Sequence, residues 1–295
     1  MRHPTLVSLL AILATASARA DSSTDAVAAS FANVLTPEAK HDAKQKAPAL
    51  SLIFNDVVSG EYLEWVELYA LASLPHQTRT SQPVVGTSTG GSSAWIAADF
   101  AIVKSCAPIT DDATGDASYY QPDHCKREDP KAWMRGAAVL ERAGKRWRPV
   151  AVHVLGRFGK ATADVPAAKL DGSVGKGAED AVKLVGAALA DPKALAAAIA
   201  DRPDVVMFGS DKGERYVTGA KVKATLARWG LAFAITDQQA GITAAGDVAW
   251  VAANVTATKA GAKPSTYRVL VACAKLDKGW QIVQLSFART VAAKP

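Results

Sequence analysis

The sequence predicts an α+β protein of two similar halves, each beginning with helices and ending in an antiparallel sheet. Three observations carry this expectation. The chain aligns with itself, each half opens on helical spacing, and each closes on alternating strands divided by tight turns.

Shifted by 155 residues, Asp25–Lys104 lies over Asp180–Lys259 without a gap and matches at 18 of 80 positions, 8 of them Ala. The informative matches are Pro37/Pro192, Pro48/Pro203, Gly86/Gly241, Gly91/Gly246 and Trp95/Trp250, because Pro, Gly and Trp sit at structural punctuation. From Arg135 onward the shift becomes 133: Arg135 falls on Arg268, Trp147 on Trp280 and Val150 on Val283. The first half therefore carries 22 extra residues, placed near 105–131, which read as a long hairpin insertion.

Element by element, the second half is the easier to read. Val182, Val185, Leu189, Leu195 and Ile199 recur at helical spacing, interrupted at Asp191-Pro192. Asp is a good N-cap and Pro a good first helical residue, so two short helices are expected, and Thr36-Pro37 repeats the signal in the first half. Val205–Phe208, bounded by Pro203 and Gly209, reads as a short strand, and Gly219–Trp229 as a helix. Strands follow at Trp250–Thr258, Tyr267–Leu276 and Trp280–Phe287, the last two divided by the turn Asp277-Lys278-Gly279. In the final strand Val283, Leu285 and Phe287 alternate with Ile282, Gln284 and Ser286. Residues 161–177 read as a linker between units at 21–160 and 178–295.

The N-terminus carries Arg2, an apolar run from Leu6 to Ala16, and Ala18-Arg19-Ala20, the pattern of an export signal cleaved after Ala20. A run of about 11 residues is short of the ~20 a spanning helix needs. The expected location is periplasmic or secreted, with no stable membrane insertion. Loss of Arg2 and Arg19 leaves 32 basic against 28 acidic residues, or +4, and the basic residues are scattered. A nucleic-acid partner calls for a concentrated basic face, so none is expected. In an oxidising compartment Cys106 and Cys125 are natural disulfide partners, pinning the insertion. No CxxC or HxxxH spacing joins His124 to a metal site, and Cys273 lies in an apolar strand as a buried thiol.

Two stretches resemble the nuclear transport factor 2-like superfamily, in its SnoaL-like branch. Val205–Trp229, VVMFGSDKGERYVTGAKVKATLARW, is similar to the branch's strand, turn and Gly-started helix; Gly246–Phe287 is similar to its three closing strands. The resemblance implies two tandem cones, each a curved sheet wrapped on helices around a pocket. Members include isomerases, dehydratases, cyclases and many non-catalytic binding or dimerisation modules. The family often dimerises through the outer sheet face, which suggests an intramolecular pseudo-dimer or a homo-oligomer.

Many SnoaL-like sequences carry His at pocket-facing positions of the last strand, which here hold Gln284 and Ser286, and Ala151 and His153. Three of the four cannot titrate, which turns the expectation from acid–base catalysis to binding of a small apolar ligand or protein interaction, with no cofactor. The alternative is an isomerase, dehydratase or cyclase using His153 or Asp99 as its proton-transfer group. A lone strand His is more often structural, and Asp99 and its counterpart Asn254 fit a wet face equally well. Arg135 and Arg268 could grip a ligand carboxylate or pair across the sheet. Tyr267, adjoining Arg268, must point to the opposite face.

Overall fold

The computed structural model describes residues 24–31, 52–59, 76–106, 125–127, 133–158, 165–166 and 169–291, with side chains at 24–31, 83–99, 134–156 and 169–290. The predicted export segment, Thr36-Pro37 and the tip of the predicted insertion, 107–124, lie outside these residues. Among the described residues no helix is long and apolar enough to cross a membrane.

The first half builds one sheet from β1 (Leu52–Ser59), β2 (His76–Thr87), β3 (Ser93–Cys106), β4 (Cys125–Arg127), β5 (Trp133–Ala143) and β6 (Arg146–Phe158). Their order is β1-β6-β5-β3-β2, with β4 also on β3. Strands β1 and β6 run parallel; the other pairs are antiparallel. A helix over residues 24–31, α1, buries Val27 and Phe31 against Ile96, Met134, Leu140 and Val152 on one face of this sheet. Ser30 Oγ donates to the carbonyl of Trp147 and fixes the helix to the last hairpin.

The second half begins with α2 (Glu179–Ala190) and α3 (Pro192–Ala198). They divide as the sequence predicts: Asp191 turns extended and its carboxylate accepts from Lys193 N, with Pro192 opening α3. Strands β8 (Val206–Phe208) and β9 (Arg215–Val217) form a short hairpin, and α4 (Gly219–Trp229) ends at the left-handed Gly230. Then come β10 (Ala232–Ile242), β11 (Val248–Thr258), β12 (Ser265–Leu276) and β13 (Gly279–Val291). The sheet order is β10-β11-β12-β13-β8-β9, and β8 again runs parallel to the last strand. The sequence reading did not include β10, whose Thr236-Asp237-Gln238-Gln239 centre breaks the apolar pattern at a bulge.

The two sheets share order and detail. Trp95 pairs with Gly86, and Trp250 with Gly241. Asp99 stands opposite Arg135, and Asn254 opposite Arg268. In each closing hairpin one extra residue makes a bulge, Val150 in β6 and Val283 in β13. One register differs from the sequence alignment. Leu52 faces Ala151 while Val206 faces Gln284, so β1 and β8 correspond at a shift of 154, one residue off the 155 of the ungapped match.

The predicted linker does not run free. Its β7 (Val165–Pro166) pairs with the end of β13, Leu170 N donates to Asp237, and Ala240 exchanges backbone bonds with Ser173 and Gly175. Leu170 joins the second core.

Helices cover one face of the second sheet, and the first half covers the other. Trp95, Val139 and Ala151 share a core cluster with the second half, and Ala97 packs on Val206 and Phe208. Polar bonds cross the same seam. Gln284 Nε2 donates to Ile96 O at 2.8 Å, and Trp95 Nε1 to Asp204 O at 3.0 Å. At one end Ser93 Oγ bonds Thr243 and the Asp247 carboxylate, and Ala244 N donates to Glu141.

Candidate functional site

Among the described residues, a cleft able to hold a small ligand lies on the helix side of the second sheet. It has a volume of about 370 Å³, within the usual range for small-molecule sites. Its apolar wall comes from Trp229 at the end of α4, Leu231 just after it, Phe233 on β10, Tyr267 on β12 and Phe287 on β13. Gly209, Ser210 and Glu214, from the loop between β8 and β9, form another wall, with Arg228 and Lys259 completing the lining.

The rings are mutually ordered. Phe287 stacks on Phe233 with centroids 5.4 Å apart, and receives Trp229 and Tyr267 edge-on at 6.3 Å and 6.5 Å. Alternation explains why these side chains meet. Val269 pairs with Phe287 and Tyr267 lies two residues from Val269, so both rings project to the helix side. Burial chiefly pushes the Tyr267 phenol above its ordinary pKa, opposed by the charge of Arg289 and a hydrogen bond with Ser265. Its hydroxyl is therefore protonated at neutral pH and able to donate to a ligand. Arg228 and Lys259 are exposed and, among the described residues, make no ion pair, which puts two cations at the mouth. Glu214 adds one negative charge to the lining; its carboxylate accepts from Asp211 N at 3.1 Å and lies against Gly209, where a Cβ would overlap it.

None of the candidate site residues His153, Asp99, Arg135, Arg268, Gln284 and Ser286 lines this cleft. Gln284 and Ser286 do alternate with Leu285 and Phe287, but they face the seam, where both are almost fully buried. The pocket side of the last strand is the apolar set. His153 is fully buried on β6, opposite Ala137 and Phe54. Asp99 is about one-third exposed and held by Arg135 at 2.9 Å and Arg215 at 3.5 Å. Arg268 is buried and donates to Asn254 Oδ1 at 3.3 Å across the sheet.

Arg135 goes further than its counterpart. Besides Asp99, its guanidinium donates to the carbonyls of Asp211 at 2.9 Å, Glu214 at 3.1 Å and Lys212, and it stands 4.9 Å over the Phe208 ring. Among the described residues no cluster of His, Cys, Asp or Glu could hold a metal. Tyr267 was legible as a residue turned away from Arg268, but Trp229, Phe233 and Phe287 carry no motif and are recognised only once β10 and α4 bring them together.

Residues 185–290 match the SnoaL-like domain. That span holds α3, α4, β8 to β12, all of β13 but its last residue, and every residue lining the cleft. Solved structures similar to this chain include an NTF2-like protein of unknown function from Pseudomonas putida KT2440 (15% identity, 40% of this chain, 95% of that chain, TM-score 0.34). Others are an NTF2-like protein from Cytophaga hutchinsonii ATCC 33406 (20% identity, 38% and 93%, TM-score 0.30) and a nuclear transport factor 2-like superfamily protein from Salmonella enterica serovar Typhimurium LT2 (11% identity, 39% and 89%, TM-score 0.32). No curated protein matches the chain. The stretch that matches this domain is an α+β unit, and the cleft sits on the helix-covered side of its sheet.

Proposed function

We propose that this chain is an exported, non-catalytic binding protein whose SnoaL-like unit holds a small, flat, apolar ligand bearing an acidic group. The observation that carries the reading is the ring set of Trp229, Phe233, Tyr267 and Phe287 beside two cations, Arg228 and Lys259, that make no ion pair among the described residues. Rings supply apolar contact area, the Tyr267 hydroxyl gives orientation, and the cations favour an anionic head. The rival isomerase, dehydratase or cyclase reading would use His153 or Asp99. Neither lines the cleft, and Asp99 is engaged by two arginines.

The proposal extends to the rest of the chain. The two halves are copies of one domain, supported by the matching Trp–Gly pairs and bulges. They pack as an intramolecular pseudo-dimer through their outer sheet faces, supported by the bonds that cross the seam. The first copy then serves as a scaffold.

Calorimetric titration with 1-naphthoate and with neutral 2-naphthol tests the cleft. Saturable binding with preference for naphthoate is expected. Trp229→Ala should weaken both ligands about tenfold, and Arg228→Ala with Lys259→Ala should erase the preference. No saturable binding by the native protein, or affinity indifferent to Trp229→Ala, would sink the reading.

A further inference from the structure

We infer that the shape of the cleft in the SnoaL-like unit is set from the other half of the chain, by Arg135 acting as a positioning residue. The inference rests on the reading of that cleft as a ligand site. The wall formed by Gly209, Ser210 and Glu214 belongs to a loop between two strands of three residues each. A hairpin so short has little stability of its own. Within it, Gly209 N bonds Glu214 O at 2.8 Å and Glu214 N bonds Asp211 O at 2.9 Å.

Asp211 N also bonds the Glu214 carboxylate, and further order comes from across the seam. Carbonyls of Asp211, Lys212 and Glu214 converge on a single guanidinium that is 3% exposed, anchored by Asp99 on one side and by the Phe208 face on the other. Buried, charge-assisted bonds from one planar donor fork define the position of three carbonyls within a single turn of backbone in a way a point charge cannot. Arg215 closes the arrangement by reaching back to Asp99 at 3.5 Å. Arg268, at the corresponding place in the second sheet, lies on β12 opposite Asn254 and not against the cleft wall. The two halves are thus unequal: the first supplies the residue that fixes the wall, and the second supplies the cleft.

The test is Arg135→Lys in the full chain, read by three measurements: 1-naphthoate affinity, amide hydrogen exchange and the urea unfolding midpoint. Expected are about tenfold weaker naphthoate binding and at least about tenfold faster exchange at residues 211–215, with exchange in β11 and β12 unchanged. Asp99→Asn, which leaves the guanidinium in place but removes its anchor, should give a smaller change of the same pattern. Unaltered exchange at 211–215 in folded Arg135→Lys overturns the inference, as does faster exchange spread evenly over the second sheet. If the native protein binds no naphthoate, the cleft reading fails alone, and the exchange pattern still decides whether Arg135 fixes the wall.

Discussion

Trp250 stands directly opposite Gly241 on the neighbouring strand, and its indole fills the space a Cβ on that glycine would need. Trp95 and Gly86 make the same pair in the first sheet. The glycine is there because the ring lies across its strand, and both indoles are almost wholly buried.

Gly241→Ala should therefore destabilise the protein by about 1–3 kcal/mol through overpacking. Gly186→Ala, in the middle of α2 with open space around it, should stabilise by up to about 1 kcal/mol. Urea unfolding of the two variants beside the native chain checks the opposite signs. Equal effects would mean the Trp–Gly packing is not what the glycine serves.

These pairs also mark what the sequence made legible. Gly86/Gly241, Trp95/Trp250 and Arg135/Arg268 stand out in a self-comparison because they are uncommon residue types at fixed offsets, and the structure sets each at an equivalent place. The helix break at Asp191-Pro192 was readable for the same local reason. The side of the last strand that faces the ligand cleft was not. A strand buried on both faces gives no wet side to orient it, and Gln284 is accommodated by the Ile96 carbonyl, 188 residues away in sequence. Similarly, the one-residue offset of β1 against β8 leaves no trace in an ungapped match, since pairing register is fixed by partners and not by composition.

Cys106 and Cys125 are directly opposite one another in the antiparallel pairing of β3 and β4. Opposed residues of such a pair have Cα atoms about 4.5–5.5 Å apart, within disulfide reach. Peptide mapping of protein recovered from an oxidising compartment should give one linked peptide containing both residues. Reduction should lower stability by about 3 kcal/mol. Free thiols at both positions in such material would refute the bridge.

Cys273 is fully buried, and burial pushes its thiol up to about 12. The unfolded thiol ionises near 9, so between pH 9 and about 12 only the unfolded state loses this proton. The stabilisation is complete below pH 9 and declines as pH rises, by about 1 kcal/mol per pH unit for this one group. Subtracting the pH profile of Cys273→Ala from that of the native chain should isolate the decline. At pH 8 the native thiol should react with a disulfide reagent only at the rate of unfolding.

Two neighbours in the seam should respond differently. Ser286 Oγ is buried and has no hydrogen-bond partner among the described residues, so Ser286→Ala should be neutral or stabilising by up to about 1 kcal/mol. Gln284→Met removes the bond to Ile96 O and should cost about 1 kcal/mol. Thermal unfolding of both variants measures the contrast; a large loss from Ser286→Ala would reveal a buried water or other partner at that hydroxyl.

The pinning of residues 170–175 along β10 has one last consequence. An outermost strand with bare amides and carbonyls is a template for adding another chain. A shortened protein beginning at Ala178 would lose that cover, and molecules should then join rim to rim at high concentration. The stretch that ties the halves together also works as a seal.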